Sequence, residues 1–150
     1  MQSRRLFTVR LALVCAFLLN CGMVSSQSNN TIRECPPTPN CVSSNPAADD
    51  EHHVLPFRIE GASEMAWDTI KKLLKSQERF AVVENSDNYL HVEVTSLVFR
   101  FVDDVEFQLD EENRLIHVRS ASRVGYWDFG VNRRRIESLR KQLLKLGVIG

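Results

Sequence analysis

The chain has 150 residues, with 19 lysines and arginines against 19 aspartates and glutamates. This length favours a single domain, and the zero formal charge argues against a nucleic-acid binder that relies on bulk positive charge. Hydrophobic residues make up 43% of the chain and charged residues 25%, which is typical of a globular protein and argues against wholesale disorder. This zero net charge is nevertheless the sum over segments that differ in charge and in predicted role.

The first segment, residues 1–20, is predicted to be a signal peptide. Three arginines precede an apolar run from Leu11 to Leu19, and a basic stretch followed by a short apolar stretch is typical of export signals. The run is too short for a membrane span, which needs about 20 apolar residues. We therefore expect an exported protein, either on the periplasmic side of a bacterial membrane or secreted.

Two processing sites are consistent with this signal. The residues around Cys21 resemble a lipobox, which would make an acylated Cys21 the mature N-terminus, although Asn20 stands where a small residue is usual. Ordinary cleavage before Gln27 is the alternative, because small side chains precede that position. We favour the lipid anchor, which would give the protein a membrane contact through lipidated Cys21.

Beyond the processing site, two cysteines remain, Cys35 and Cys41, in an exported chain where disulfides persist. Their spacing differs from the two-residue spacing of redox motifs and zinc knuckles, so we predict a structural disulfide. Residues 21–34 are rich in Ser, Asn and Gln and are predicted to be a flexible tether. Residues 35–53 are predicted to form a Pro-rich loop closed by the disulfide, and residues 54–150 the globular domain.

The domain is predicted to contain five strands and two helices. A strand is expected from Val54 to Ile59, and a helix over about residues 64–76 with Ser63 as its N-cap. The remaining predicted elements are strands at Phe80–Val83, Tyr89–Thr95, Phe99–Leu109 and Leu115–Arg123, and a helix over about 132–146. The order β-α-β-β-β-β-α predicts an α+β fold of two layers, in which an antiparallel sheet of about five strands packs against two helices.

The hairpin between the last two predicted strands restricts which residues lie opposite each other. With a four-residue loop, Glu106 opposes Arg119 and Asp103 opposes Ser122; with a two-residue loop, Asp104 opposes Arg119. In both registers Arg119 lies opposite a carboxylate on the polar face. That face is either a solvated surface with weak ion pairs or a binding site for an anionic or polar ligand, because arginine presents a planar fork to carboxylates and phosphates.

Asp103 falls on the apolar face of its predicted strand, with Phe101 and Val105 on the same side. A carboxylate there needs partners, since unpaired burial of a charge costs several kcal/mol. We expect either hydrogen bonds from neighbouring serines or a β-bulge at Asp103 and Asp104 that turns one of them outward.

Three separated segments carry a resemblance: Cys35 to Ser44, Phe101 to Phe107, and Arg119 to Arg135. Together they resemble the family catalogued as domain of unknown function 1499, over roughly residues 35–143. Members are similar to small exported or membrane-associated proteins, and the resemblance implies no activity. It implies one constellation of matching residues: Asp103, Asp104, Arg119, Ser120, Ser122, Arg123, Gly125, Asp128, Gly130, Asn132, Arg133 and Arg135.

Several of these residues are also expected to have structural roles. Asp128 or Asn132 is expected to cap the last helix. Arg133 and Arg135 have three candidate partners: Asp103, Asp104 and Asp128.

We expect a non-enzymatic envelope protein that binds a polar or anionic ligand, or a partner protein, through the Arg-rich segment 119–135. The alternative is a small enzyme that uses some of the same side chains: Asp103 or Asp104 with Ser120, Ser122 or His117. No nucleophile-elbow motif accompanies those serines. Residues 49–53 include metal-ligand types, but adjacent loop residues rarely converge on one ion, so we expect no metal and no cofactor.

The charge is distributed unevenly along the chain. Removal of residues 1–20 takes away three arginines and leaves 16 basic and 19 acidic residues, a formal charge of −3. Nine of those 16 basic residues lie between Arg114 and Lys145, against only Asp128 and Glu137. The basic C-terminal third is therefore suited to an anionic ligand or lipid surface, although the chain as a whole is not suited to nucleic acid.

Overall fold

A computed structural model describes residues 31–45 and 47–150, so the predicted signal peptide, Cys21 and most of the predicted tether lie outside the described residues. The elements, in chain order, are β1 (Cys41–Ser43), β2 (Phe57–Arg58), α1 (Ser63–Lys75), β3 (Phe80–Asn85), β4 (Tyr89–Thr95), β5 (Val102–Asp110), β6 (Leu115–Ser122) and α2 (Val131–Lys145). The predicted α+β fold and the order of its elements are confirmed, with one additional strand at the start.

The sheet is antiparallel, with the strand order β1-β6-β5-β4-β3, and β2 pairs with β6 beside β1. Glu106 lies opposite Arg119 and Asp103 opposite Ser122, which confirms the register predicted for a four-residue hairpin loop. β5 and β6 are therefore the central pair that carries most of the predicted site residues.

One face of the sheet, which we call the inner face, is covered by both helices. Alternate residues of β4, β5 and β6 point into this layer, among them the fully buried Val92, Phe107 and Val118. Ile70 of α1 and Ile136 of α2 pack against them at helical spacing. Full burial of each such side chain stabilises the fold by about 1.5–3 kcal/mol, so this layer holds the helices on the sheet.

The predicted strand 99–109 is wrong at its start, because β5 begins at Val102. Residues 96–101 instead form the β4–β5 loop, in which the Ser96 N–H donates to the Phe101 carbonyl at 2.8 Å. Arg100 has a φ of 56°, which interrupts the extended backbone. The alternation had predicted that Phe99 and Phe101 face the core. Both are instead exposed.

The N-terminal part of the domain differs from prediction in three further details. The predicted loop 35–53 contains β1, and the Cys35–Cys41 disulfide immediately before it is confirmed, with Cα atoms 5.7 Å apart. β2 is shorter than the predicted strand 54–59. Ser63 is the first residue of α1 and not its N-cap, since Ala62 precedes the helix and no side chain caps it.

Candidate functional site

Asp103 and Asp104 are adjacent in β5, and therefore their side chains lie on opposite faces of the sheet. Asp103 lies on the inner face, under α2, and Asp104 on the opposite face, which we call the outer face. The predicted constellation is thus divided into two groups. The inner network consists of Asn40, Asp103, Ser120, Ser122, Asn132 and Arg135. The outer network consists of Arg33, His91, Glu93, Asp104, Glu106, Arg119 and Arg123.

Arg135, the fifth residue of α2, is the cation of the inner network. Its guanidinium pairs with the buried Asp103 carboxylate and donates to Ser120 Oγ at 2.8 Å and to Asn132 Oδ1 at 2.6 Å. The predicted pairing of Arg135 with Asp103 is confirmed. We had expected either hydrogen bonds from neighbouring serines to Asp103 or a β-bulge at Asp103 and Asp104. Both expectations are wrong, because the partner of Asp103 is Arg135 and the register of β5 shows no bulge there.

Asn132 joins three parts of the molecule from a fully buried position. Its Nδ2 donates to the Asn40 carbonyl at 2.9 Å and to Ser122 Oγ at 3.0 Å, while its Oδ1 accepts from Ser120 Oγ at 2.6 Å. Asn40 Nδ2 in turn donates to the Gly125 carbonyl at 2.5 Å. The disulfide loop, the end of β6 and the first turn of α2 are therefore held in one arrangement.

The N-cap residue of α2 is Gly130, and not Asp128 or Asn132 as predicted, but the Asp128 side chain binds N–H groups at the start of the helix. Its carboxylate accepts from the N–H groups of Gly130 and Asn132, each at 2.8 Å. Gly130 and Phe129 both have positive φ values, 73° and 53°, and a left-handed conformation is strained for phenylalanine. Arg134 donates to the Phe129 carbonyl at 2.7 Å. The cap thus fixes the strained turn that leads into the helix.

Glu106 is the centre of the outer network and is fully buried. Arg119 donates to it at 2.8 Å, and Arg33 donates through Nε at 2.7 Å and through its backbone N–H at 3.0 Å. Burial raises the pKa of Glu106, but the hydrogen bonds from Arg33 and the nearby Arg119 outweigh burial and hold that pKa below its usual value. Ile32 and Arg33 cover this part of the outer face, so the cross-strand ion pair of Glu106 and Arg119 is buried there.

Asp104 forms the second half of the outer network. Arg123 donates to its two carboxylate oxygens at 2.9 and 2.7 Å, and His91 Nε2 lies 2.7 Å from Oδ1. Burial raises the pKa of Asp104, but the hydrogen bonds from Arg123 and His91 outweigh burial and lower that pKa to about 2. Arg123 also pairs with Glu93 at 2.6 Å. Asp104 and Glu93 therefore share the guanidinium of Arg123.

The enzyme hypothesis needs an open carboxylate beside a serine or histidine. Asp103 and Asp104 are only 5% and 8% exposed, and both are in ion pairs. His117 contacts Ser44 Oγ at 3.3 Å and Asp110 at 3.8 Å, and it pairs with neither Asp103 nor Asp104. The geometry does not favour catalysis by these groups.

Two further predicted residue groups have local partners. Arg133 donates to the carbonyls of His53 and Glu51, at 2.8 and 2.7 Å, so its predicted pairing with an aspartate is wrong. His52 Nδ1 lies 2.7 Å from Asp49 Oδ1, which closes the loop before β2. Within residues 31–45 and 47–150, no group of three or more His, Cys, Asp and Glu side chains is arranged to hold a metal ion.

One family model matches the chain over residues 31–143, and its description is "Protein of unknown function (DUF1499)". The chain belongs to the DUF1499 family. No curated protein and no solved structure matches it. The DUF1499 match begins at residue 31, where Ile32 and Arg33 contact the outer face, and ends within α2. The family unit therefore includes the short segment that the sequence had placed in the tether.

The resemblance in the sequence identified only part of the two networks of this DUF1499 protein. Arg33, Glu106 and Asn40 were not among the predicted site residues, although each is central to one network. Glu106 and its opposite Arg119 were visible as a cross-strand pair in the predicted register. Arg33 and Asn40 act across more than 70 residues of sequence, and local periodicity carries no signal for such contacts.

The two loops at one end of the DUF1499 fold expose a group of large apolar side chains. The β4–β5 loop and the β6–α2 loop leave the same end of the sheet, because Thr95 is paired with Val102 and Ser122 with Asp103. Nine of the 14 exposed large apolar residues in the described chain lie here. We call them the apolar tip: Leu97, Val98, Phe99, Phe101, Val124, Tyr126, Trp127, Phe129 and Val131.

The apolar tip has internal order. The rings of Phe99 and Phe101 stack with centroids 5.5 Å apart, and Tyr126 meets Trp127 edge to face at 5.4 Å. Phe129 is 87% exposed despite its strained backbone. Strain of this kind persists where the surrounding structure enforces it, often at functional sites. The sequence signal was the cluster of aromatic residues around Trp127, which matches neither helical nor strand periodicity.

Proposed function

We propose that this protein is an exported, non-enzymatic envelope protein that is anchored through Cys21 and attaches to an anionic membrane surface through the apolar tip. The observation that carries the proposal is the tip itself. Soluble monomers rarely expose large contiguous apolar patches, and such patches mark interaction sites. Among the described residues, no helix is long and apolar enough to cross a membrane. The proposed contact is therefore made by loops lying at the surface.

The composition of the tip suits a membrane–water interface. Tyr126 and Trp127 combine an apolar ring with a polar group, and such side chains concentrate at the level of the lipid headgroups. Phe99 and Phe129 have no polar group and suit the acyl region just below. All four are more than half exposed, so they are available without rearrangement of the fold.

The charges around the tip favour an anionic surface. Arg79 and Arg100 are exposed and make no side-chain hydrogen bond or ion pair within the described chain, and Arg134 contacts only a carbonyl. The β6–α2 loop contains one acidic residue, Asp128, and its carboxylate is already engaged by two backbone N–H groups. Asp128 and Glu78, the neighbour of Arg79, offset part of this charge, and the three arginines still leave a net positive charge at this end of the domain.

The magnitude of the attraction explains the need for an anchor. Burial of a large apolar side chain is worth about 1.5–3 kcal/mol, and each arginine near an anionic surface adds about 1 kcal/mol. Partial burial of the tip with three arginines is thus comparable to one fatty acyl chain, which alone gives marginal and reversible attachment. Two such signals give stable attachment, and acylated Cys21 with the apolar tip would supply them.

This proposal changes the role of the Arg-rich segment. Arg123 and Arg135 are engaged in the two networks and fix the ends of the β6–α2 loop, while the apolar residues between them make the contact. The function of the predicted constellation is then to hold the loop in place.

Trp127 emission provides a direct test. The full chain is mixed with vesicles that contain phosphatidylglycerol, and with neutral phosphatidylcholine vesicles as the comparison. We expect a blue shift and quenching by brominated acyl chains with the anionic vesicles only. Trp67 is 3% exposed and serves as an internal reference, and Trp127→Phe should abolish the change. An unchanged Trp127 spectrum in vesicle-bound protein contradicts lipid contact and would favour a protein partner.

The anchor is tested separately by the mass of the mature N-terminus purified from the native envelope. An acyl mass on Cys21 supports the proposed attachment, whereas a chain that begins at Gln27 excludes it and leaves a secreted protein.

A further inference from the structure

A groove lies beside the apolar tip, between the edge of the sheet and α2. Its volume is about 310 Å³. Its apolar lining is formed by Phe80, Val94, Leu97, Val131 and Leu139. Val94 and Leu139 are 5% and 3% exposed, so they form the floor, while Leu97 and Val131 are exposed at the rim.

The electrostatic character of the groove is positive. Two arginines line it, Arg79 and Arg135, and no acidic residue does so in the part of the chain that the structure describes. Arg135 is neutralised by Asp103 within the inner network. Arg79 is exposed, with no hydrogen bond or ion pair to its side chain among residues 31–45 and 47–150. The groove thus has an apolar floor and one available guanidinium.

The groove is continuous with the apolar tip. Leu97 and Val131 belong to both: Leu97 lies in the β4–β5 loop, and Val131 is the first residue of α2. An alkyl chain that enters from a membrane under the tip would therefore pass from the apolar side chains of the tip to those of the groove, past Leu97 and Val131 at the rim.

We infer that the groove binds the alkyl chain of one anionic lipid, whose phosphate pairs with Arg79. The planar guanidinium matches phosphate oxygens, and the apolar floor matches methylene groups. The inference rests on the proposed function for the source of the ligand, a membrane lipid. The recognition itself depends only on the groove, so it is testable with soluble molecules.

Monomeric alkyl phosphates are the appropriate test ligands. Hexyl, octyl and decyl phosphate, each below its micelle concentration, are titrated into the full chain by calorimetry, with inorganic phosphate as the headgroup control. We expect the affinity to rise about fourfold for each methylene that fits on the floor, and inorganic phosphate to bind too weakly to measure. An affinity that does not depend on chain length would overturn the inference.

Two variants locate the binding. Arg79→Gln should weaken decyl phosphate about tenfold, whereas Arg58→Gln, the same change at an exposed residue of β2, should have no effect. Ser138→Phe fills the groove from an exposed helical position and should abolish binding while circular dichroism and urea unfolding remain unchanged. Equal affinities in the two arginine variants would show an unspecific charge effect and refute the site.

Phe129→Ser separates this inference from membrane attachment. Phe129 is in the tip but does not line the groove. We expect this variant to lose the Trp127 response to vesicles and to keep its affinity for decyl phosphate. Loss of both would mean that the groove is not an independent site. A groove that binds decyl phosphate in a protein that never docks on vesicles would refute the proposed function alone.

Discussion

The inner and outer networks start from neighbouring aspartates and are built in different ways. In the inner network, one guanidinium is surrounded by a carboxylate, a hydroxyl and an amide, all supplied by β5, β6 and α2. In the outer network, Glu106 binds two arginines and Arg123 binds two carboxylates, and one of the three arginines comes from the N-terminal segment 31–34. The inner network therefore positions a helix and its preceding loop, whereas the outer network fastens the start of the domain to the middle of the sheet.

This difference determines how each network should respond to the loss of one member. A buried ion pair contributes little net stability over an apolar alternative, yet removal of one partner leaves a buried charge that has lost its compensation. Hydrogen-bonding neighbours reduce that cost where they exist. The inner network has such neighbours around Arg135, while Arg119 in the outer network depends on Glu106.

The largest effect is expected for Glu106→Gln. Arg119 would keep its buried position without a carboxylate, and Arg33 would lose its partner, so we expect the free energy of unfolding to fall by about 3–5 kcal/mol. Urea denaturation measures the loss. Glu93→Gln is the matched control and should cost less than about 1 kcal/mol, because Arg123 retains Asp104. If the two variants lose the same free energy of unfolding, burial of Glu106 does not make its ion pairs more important to stability than exposed ones.

A smaller loss is expected for Asp103→Asn, about 2 kcal/mol, since Arg135 retains Ser120 and Asn132 as acceptors. Its consequence should be local to the loop that follows β6. Limited proteolysis at neutral pH should cleave residues 123–131 faster in Asp103→Asn than in the exposed control Asp87→Asn. Faster cleavage of the N-terminal segment instead would mean that the networks have been assigned to the wrong parts of the fold.

The smallest effect concerns Arg123→Gln, about 1 kcal/mol at neutral pH, because the Arg123 side chain is 41% exposed. The folded-state pKa of Asp104, about 2, lies below its unfolded value near 4. Its contribution is therefore fully present above pH 4 and is lost as the pH falls toward 2. Arg123→Gln should reduce this acid dependence in urea unfolding measured between pH 6 and pH 2.5. An unchanged dependence would assign the low pKa to another partner.

The sequence predicted the central hairpin well because its information is local. Alternation in β4, β5 and β6, together with the polar turn, limited the residue opposite Arg119 to Glu106 or Asp104, and the structure shows Glu106. The same alternation failed at Phe99 and Phe101, since a period of two continues through a loop whose conformation depends on a positive φ at Arg100. Periodicity cannot detect that change of direction.

The candidate site was predictable only in part, for a related reason. The need for a partner at Asp103 followed from the cost of burying a charge, and Arg135 was among the candidates. The closure of Glu106 by Arg33 could not be predicted, because a Ser- and Asn-rich stretch has no periodic signal and its contact partner lies 73 residues away. The exposed apolar tip was not predicted either, since aromatic residues in a sequence are first expected in a core, and the lack of periodicity around Trp127 was its one signal.

The attachment of Arg33 to Glu106 also has a mechanical consequence. Tension applied to the chain before residue 31 reaches β5 first, through the bonds of Ile32 to Gln108 and of Arg33 to Glu106, and only then the short edge strand β1. The Cys35–Cys41 disulfide then carries the load across residues 36–40, so that Asn40 keeps its bonds to the β6–α2 loop. A pull from the N-terminal side would thus act on the central strand β5 before it acts on the edge strand β1.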